Sequence, residues 1–208
     1  MKIKNIILDL GGVLLNIDYL RTIDAFKKLG ISNFEQMYTQ AQQNKLFDAF
    51  ETGHITAEEF LSQVALHLPK ETKKDEIISA WNAMLFDLPK ERLEFLKQLK
   101  KQYNLVLLSN TNTIHLEHFH QTLKAEHGID NLLSYFKTTY FSCEMGMRKP
   151  HPEIFLKVCE LEGFDPKSTL FIDDTQQHVE GAIKAGLHAH YLDVEKTNVM
   201  ELLSSLLA

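Results

Sequence analysis

Four apolar segments of this sequence, each about as long as a β-strand, end in or are followed by polar side chains that could do chemistry. These polar groups are Asp9, Ser109 with Asn110, Lys149, and Asp173 with Asp174. In an open α/β sheet, ligands bind outside the carboxyl ends of the strands, so four such ends would meet at one edge. A single carboxylate at a strand end is often only the N-cap of the next helix. Four polar strand ends together predict a site.

The chemistry of this predicted site follows from its residue types. Carboxylates without a Cys or His partner are hard oxygen ligands, which suit Mg²⁺ bound through a few carboxylates, water and a substrate phosphate. Buried acids repel one another, and Lys149 could offset their charge and hold an anionic substrate. A carboxylate can also be a covalent nucleophile that forms an aspartyl-phosphate. Metal, Lys and Ser/Asn donors would then stabilise the oxygens of a transferring phosphoryl group.

The elements that must position these residues alternate between strand and helix, which predicts an α/β architecture with helices on both faces of a parallel sheet. The predicted strands are NIILDL (5–10), LVLLSN (105–110), TTYFSC (138–143), TLFIDD (169–174) and HAHYLD (188–193). Pro89 and Pro152 are each expected at the first position of a helix. Gly186 is expected to end a helix over 176–185.

One long segment between the first two predicted strands has only helical patterns. Ser32–Glu35 and Thr56–Glu59 have the capping-box spacing that starts helices, and Gly53 separates two helical stretches in FDAFETGHITAEEFLSQVALHL. The segment is too long for a simple crossover, so we predict an inserted cap. The predicted division is a Rossmann-like catalytic core over 1–16 and 87–208, and an all-helical cap over 17–86.

Bulk composition narrows the function classes. The 208 residues carry a formal net charge of -6, which argues against a nucleic-acid binder. Cys143 and Cys159 form neither a metal-type spacing nor a disulfide framework. Asp9 interrupts the apolar run that follows Lys2 and Lys4, which argues against a signal peptide, and no run reaches the ~18 apolar residues of a membrane span. We therefore expect a cytoplasmic protein with no membrane or nucleic-acid partner; the oligomeric state stays open.

The four motifs, in this order, resemble those of the haloacid dehalogenase-like hydrolase superfamily over essentially the whole chain. The matching stretches are ILDLGGVLL, VLLSN, GMRKPHPEIF and LFIDDTQQHVEGAIKAG. The resemblance implies a Rossmann-like fold with a helical cap inserted at this position. It also implies Asp9 as the catalytic nucleophile, Lys149 as the catalytic charge-neutralising lysine, and Ser109 as a phosphoryl-binding residue. Asn110, beside Ser109, is a further candidate for binding the phosphate, as is Lys149.

The resemblance implies a magnesium site as well. In this family scheme Asp9, the backbone carbonyl of Gly11 and one or both acids of the pair Asp173–Asp174 hold Mg²⁺. By position, Asp174 is favoured as the direct ligand. A sister activity of the superfamily, dehalogenation, needs no metal, and the acidic pair argues against it because a metal-free site gains nothing from the extra negative charge.

Gly11 departs from the family pattern. Phosphatases of the family usually carry a second Asp here as general acid–base, and losing a general acid typically costs ~10²–10⁴ in rate. Substrates whose leaving oxygen departs easily would suffer least, and a similar Asp-x-Gly motif occurs in sugar-1-phosphate phosphatases of the superfamily. The sequence therefore predicts an Mg²⁺-dependent phosphatase of a small phosphorylated metabolite, with sugar phosphates as first candidates. The alternative is a catalytically weakened binding or regulatory protein.

Two further residues are candidates near the site. Asp18 follows the first strand at the entrance to the cap, and we hypothesise that it handles protons or substrate hydroxyls; the alternative is that it simply caps the first cap helix. Among the ten histidines, His115 follows the second strand and is expected to lie nearest the site.

Overall fold

A five-stranded parallel sheet forms the centre of the molecule. The structure, a computed structural model, describes residues 2–31 and 45–207. Its strands are β1 (Asn5–Leu8), β2 (Asn104–Ser109), β3 (Thr138–Phe141), β4 (Thr169–Asp173) and β5 (His188–Tyr191). They lie in the order β3-β2-β1-β4-β5, and each neighbouring pair is parallel. The predicted α/β, Rossmann-like fold class is confirmed.

Helices connect the strands and flank the sheet. In chain order they are α1 (Tyr19–Lys28), α2 (Leu46–Glu51), α3 (Ala57–Ala65), α4 (Lys74–Asn82), α5 (Lys90–Leu99), α6 (Thr113–His127), α7 (Ser142–Met145), α8 (Pro152–Glu162), α9 (Gln176–Lys184) and α10 (Val199–Leu206). Pro152 is the first residue of α8, as predicted, whereas Pro89 is the N-cap of α5 because its ψ of 132° is still extended. Within residues 2–31 and 45–207, no helix is long and apolar enough to cross a membrane.

Both faces of the central strand β1 are buried. On β1, Ile6 and Leu8 belong to one apolar cluster, which also contains buried leucines of α5 and α10. Ile7, between them, belongs to a second cluster that includes buried residues of α8 and α9. Successive side chains of a strand point to opposite faces, so this alternation explains why the strand sequences are continuously apolar.

Helices α1–α4, which lie between β1 and β2 in the chain, share a third apolar cluster. Its largest members are Phe26, Phe47, Phe50, Phe60 and Trp81. The predicted capping box of α3 is confirmed, since Thr56 and Glu59 exchange both hydrogen bonds. The predicted box at Ser32–Glu35 lies outside the described residues. The division into a core over 1–16 and 87–208 and a cap over 17–86 stays a prediction; below, residues 17–86 are called the cap segment.

The sheet register places the end of β1 between two other strand ends. Leu8 lies opposite Leu107 of β2 and Ile172 of β4. The next residue, Asp9, continues the pairing with β4 through a backbone hydrogen bond of 3.0 Å to the Ile172 carbonyl oxygen. Because β1 is central, the Asp9 side chain starts within reach of the groups that end β2 and β4.

Helix α9 packs unusually closely against the loop that carries Lys149. Gly181 lies in the middle of α9, and a Cβ there would collide with the backbone carbonyl of Pro150. The same Cβ would lie 3.2 Å from the Phe155 ring. The missing side chain therefore lets the helix support the loop directly behind Lys149.

We predict that Gly181→Ala destabilises the protein. Helix propensity alone would stabilise it by about 1 kcal/mol, but the clash with a backbone carbonyl is an overpacking defect, which typically costs about 1–3 kcal/mol. Urea unfolding of both proteins measures the difference. The matched control is Glu180→Ala, one residue earlier in α9 and exposed. A Gly181→Ala variant more stable than the wild type would contradict this prediction, because it would show that the loop at Pro150 moves away at little cost.

Candidate active site

Lys149 connects three of the four predicted strand-end groups. Its side chain is fully buried, and its ammonium Nζ lies 2.6 Å from Asp9 Oδ1 and 2.6 Å from Asp173 Oδ2. Asp9 and Asp173 are buried too. Burying charged groups is costly unless they are paired and hydrogen-bonded, so this cation between two carboxylates must be a closely fitted arrangement.

Burial and pairing act against each other on the pKa values of these groups. Burial raises the pKa of Asp9 to about 7, with Lys149 opposing the rise and Asp173 adding to it. Burial also acts to raise the pKa of Asp173, but Lys149 and His178 together bring it below its usual value. For Lys149, burial is outweighed by the two carboxylates, which raise its pKa. The pairing therefore favours the ammonium form of Lys149 and the carboxylate form of Asp173.

Asn110 positions the backbone of Lys149. Its side-chain Nδ2 donates to the Lys149 carbonyl oxygen, and its Oδ1 accepts from the Lys149 N–H, both at 2.9 Å. Both ends of the amide are thus engaged with the backbone of one residue, Lys149, which ties the end of β2 to the Lys149 loop. Ser109, the other predicted phosphate-binding residue on β2, is buried and lines the cavity described below.

The two acids of the pair Asp173–Asp174 lie in different environments. Both oxygens of Asp173 accept hydrogen bonds, Oδ2 from Lys149 and Oδ1 from the Thr175 N–H at 2.8 Å. The Nδ1 atom of His178 lies 3.0 Å from both of these oxygens. The Thr175 hydroxyl lies 3.4 Å from Asp174 Oδ1. Burial, reinforced by Asp173, raises the pKa of Asp174, with Lys149 opposing the rise.

The three carboxylates fit a divalent metal ion. Asp9, Asp173 and Asp174 each offer one oxygen, and these oxygens all lie within 4.8 Å of one another. Gly12 allows this approach, since its φ of 74° suits glycine and a Cβ there would collide with the Asp174 carboxylate. An all-oxygen donor set with excess negative charge is the chemistry that Mg²⁺ prefers.

Gly11 lies beside this cluster and lines the same cavity. The space that a side chain at position 11 would take is filled by Ile17, whose Cδ1 would collide with an added Cβ. An apolar group therefore stands where the phosphatase pattern has a carboxylate.

Asp18 lies apart from the cluster. It is the N-cap of α1, its Oδ1 accepts from the Leu20 N–H at 3.0 Å, and its side chain is exposed. It is absent from the lining of the cavity. The structure thus supplies a capping role for Asp18 and no contact with the other candidate residues.

A cavity of about 710 Å³ opens above the cluster. Asp9, Ser109 and Lys149 lie at its base, and the cap segment contributes Phe47 and Trp81 to its wall. Such a volume is within the usual range for small-molecule sites. The cavity is large enough for a phosphoryl group at the carboxylates and a larger leaving group toward the cap segment.

Sequence reasoning missed an ion-pair contact between the Lys149 loop and the cap segment. Arg148 pairs with Asp48 and, at 3.0 Å, with Glu51, both on α2. Burial raises the pKa of Glu51, with Arg148 opposing the rise. Asp48 and Glu51 are three residues apart and therefore share one helical face. In the sequence, this spacing of two acids and the position of Arg148 next to Lys149 were the features that could have predicted the ion pairs.

Two histidines lie at the site, of which sequence reasoning missed His178 and expected His115. His178 contacts Asp173, as described above, and its position five residues later, on the first turn of α9, was the only signal. His115 was expected nearest the site, and it lines the cavity. Its ring is buried, and burial lowers its pKa to about 3.

Comparison with known proteins agrees with this geometry. The family model for haloacid dehalogenase-like hydrolases matches residues 3–186. A D-ribitol-5-phosphate phosphatase of Bacteroides thetaiotaomicron is 31% identical over 177 residues, which are 85% of each chain. A solved HAD family enzyme of the same organism has a TM-score of 0.89 and 37% identity, covering 98% of this chain and 99% of that one. Its wild-type complex with magnesium and inorganic phosphate has a TM-score of 0.86 and 38% identity, covering 94% and 96%.

The family model covers residues 3–186, and the fold matches that of the solved enzyme over nearly all of the chain. The chain belongs to the haloacid dehalogenase-like hydrolase family.

We predict that Lys149→Met strongly destabilises the fold. Removing one partner of a buried charge cluster leaves the others uncompensated, which costs about 3–5 kcal/mol. The control is Lys157→Met, which removes an exposed ion pair with Glu160 worth less than about 1 kcal/mol. Urea unfolding at pH 7 measures both. Equal small effects would mean that Asp9 and Asp173 do not depend on the ammonium.

We predict that His115 makes the protein less stable in mild acid. The folded protein holds this ring unprotonated to about pH 3, whereas the unfolded chain protonates it near the ordinary value of 6.5. Stability is therefore complete above pH 6.5 and falls as the pH drops. Between pH 7 and pH 5, the wild type should lose about 2 kcal/mol more than His115→Phe.

Urea unfolding at the two pH values measures this difference. The control is His67→Phe, at an exposed position, which should lose as much stability as the wild type. Parallel losses in the wild type and in His115→Phe would contradict the burial argument.

Proposed function

We propose that this protein is an Mg²⁺-dependent phosphatase that hydrolyses small phosphorylated metabolites, sugar and polyol phosphates foremost, through an aspartyl-phosphate on Asp9. The observation that carries the proposal is the contact of Lys149 with both Asp9 and Asp173 at the base of the cavity. That arrangement holds a carboxylate in place beside a cation, at the position where an anionic phosphate ester would enter.

In the first step, an Asp9 carboxylate oxygen attacks phosphorus. An O–P bond forms, the bond from phosphorus to the leaving oxygen breaks, and the leaving group departs with the electron pair. In the second step, water attacks phosphorus, the Asp9–phosphorus bond breaks, and inorganic phosphate leaves with the Asp9 carboxylate restored. Lys149 and Ser109 donate hydrogen bonds to phosphoryl oxygens, whose charge is best stabilised by donors fixed in advance.

The carboxylate cluster contains the residues that would bind Mg²⁺. Asp9, Asp174 and the Gly11 carbonyl would hold Mg²⁺, which when bound neutralises phosphoryl charge. Asp173 is a positioning residue instead, because both of its oxygens already accept hydrogen bonds from Lys149 and Thr175. Asn110 acts in the same way, through the backbone of Lys149.

Gly11 has no side chain that could donate a proton to the leaving group. Ile17 fills that space, so the leaving oxygen is protonated by water or by the substrate itself. This constraint favours leaving groups that are good or that carry neighbouring hydroxyls. The relative from Bacteroides thetaiotaomicron is named for D-ribitol 5-phosphate, a primary polyol ester. The proposed class is therefore sugar and polyol phosphates, which adds polyol phosphates to the sugar phosphates that the sequence favours.

A metabolite panel with matched variants tests this proposal. Purified wild-type protein with Mg²⁺ should release phosphate from sugar or polyol phosphates, and chelation of the ion should stop it. Asp9→Asn should lose at least about 10⁴-fold, because it removes the nucleophile itself.

Asp18→Asn is the matched control, since both changes replace an Asp by its amide. It should retain turnover, because its carboxylate caps α1 outside the cavity. If Asp18→Asn lost activity while remaining folded, the earlier proton-handling hypothesis for Asp18 would return. Equal inertness of wild type and Asp9→Asn across the panel would contradict the phosphatase and favour a binding or regulatory protein.

A further inference from the structure

His115 is a buried polar ring that the proposed chemistry leaves unused. It lies on the first turn of α6, and its ring is stacked against Trp81 with an interplanar angle of 2° and a centroid distance of 5.1 Å. Phe47 is also stacked with Trp81, at 2° and 5.5 Å. Trp81 and Phe47 belong to the cap segment, while His115 follows β2. The three rings line the cavity.

Hydrogen bonds fix the orientation and the tautomer of the His115 ring. Its Nδ1 lies 2.9 Å from the Asn82 side-chain oxygen Oδ1. An amide oxygen only accepts, so Nδ1 carries the proton and Nε2 carries a lone pair. The Asn112 side-chain oxygen accepts from the His115 backbone N–H at 3.0 Å and from the Trp81 indole N–H at 3.4 Å. The ring is therefore held by contacts on both segments that border the cavity.

The lone pair of Nε2 is the unused part of this arrangement. Among the described residues the His115 side chain hydrogen-bonds only through Nδ1, and the residue lines the cavity. A ligand group in the cavity that donates a hydrogen bond would give Nε2 a partner. Because burial keeps the ring uncharged at neutral pH, it offers nothing to a phosphate but suits an O–H donor.

We infer that His115 is a substrate-binding residue whose Nε2 accepts a hydrogen bond from a hydroxyl of the leaving group, and that it selects hydroxylated over plain alkyl phosphates. The inference rests on the proposed phosphatase function and deepens it by assigning the part of the cavity that recognises the leaving group. Aromatic neighbours and a neutral acceptor fit a polyol, which presents C–H surface and O–H donors together.

The test compares two phosphate esters of equal carbon number. D-ribitol 5-phosphate carries hydroxyls, and n-pentyl phosphate carries none. His115→Asn keeps a polar group near the Nδ1 position but lacks an acceptor at Nε2, whereas His115→Gln extends an amide toward the Nε2 position. For His115→Asn, the ratio of kcat/KM for ribitol phosphate to that for pentyl phosphate should fall about 3–10-fold, the usual worth of one hydrogen bond. His115→Gln should recover part of the ratio.

The control variant is His118→Asn, three residues further along α6 and outside the lining of the cavity. Its ratio should stay within about twofold of the wild type, as for substitutions away from a site. A purely structural role of His115 would lower both substrates equally and leave the ratio unchanged, which would overturn the inference. An unchanged ratio with full activity would overturn it as well.

A spectroscopic measurement keeps the inference testable if the His115 variants do not fold. In Asp9→Asn protein with ¹⁵N-labelled histidine, ribitol 5-phosphate should shift the His115 Nε2 resonance in the direction expected for a newly accepted hydrogen bond, and pentyl phosphate should not. Equal shifts, or none with the ligand bound, would overturn the inference. If wild-type protein hydrolyses neither ester nor p-nitrophenyl phosphate, the phosphatase proposal itself fails, which is a distinct result.

Discussion

The buried ammonium of Lys149 between Asp9 and Asp173 is the interaction on which the rest of the structure depends. Taking charges out of water costs several kcal/mol per ion, and only close geometry and further hydrogen bonds recover that cost. The surroundings supply both. Asn110 fixes the Lys149 peptide from β2, and Gly181 lets α9 support the following loop. The strand order places Asp9 and Asp173 side by side, so the sheet serves to hold one cation between two anions.

The cap segment meets this charged base from the other side of the cavity. Arg148, the neighbour of Lys149, pairs with two acids of α2, so one loop contacts both Asp9 and the cap segment. The Trp81–His115 stack joins the cap segment to the helix that follows β2 at the cavity wall. In the proposed function, charged groups at the strand ends would bind the phosphate, and the neutral His115 ring with its aromatic neighbours would bind the leaving group.

The sequence predicted those features of the fold and site that depend on residues close together in the chain. Short runs of strand length located all five strands to within two residues. The runs of β1, β2 and β4 are the most apolar, because these strands are buried on both faces. Polar residues at the ends of those runs then located Asp9, Lys149 and the acidic pair. What escaped were contacts between distant segments. The engagement of Asn110 with Lys149, and the filling of the Gly11 space by Ile17, depend on packing that no local pattern encodes. For Asp18, the local capping preference did locate a contact, the N-cap of α1, and its role with protons or substrate hydroxyls stays a hypothesis.

The central claim is that Asp9 becomes covalently phosphorylated, and borohydride trapping tests it most directly. Sodium borohydride reduces an acyl phosphate to an alcohol, so an aspartyl-phosphate is converted to homoserine, which peptide mass spectrometry locates. Protein quenched during turnover of a sugar or polyol phosphate with Mg²⁺ should carry homoserine at position 9, and protein without substrate should not. Trapping at another residue during turnover would contradict the account and place the nucleophile elsewhere.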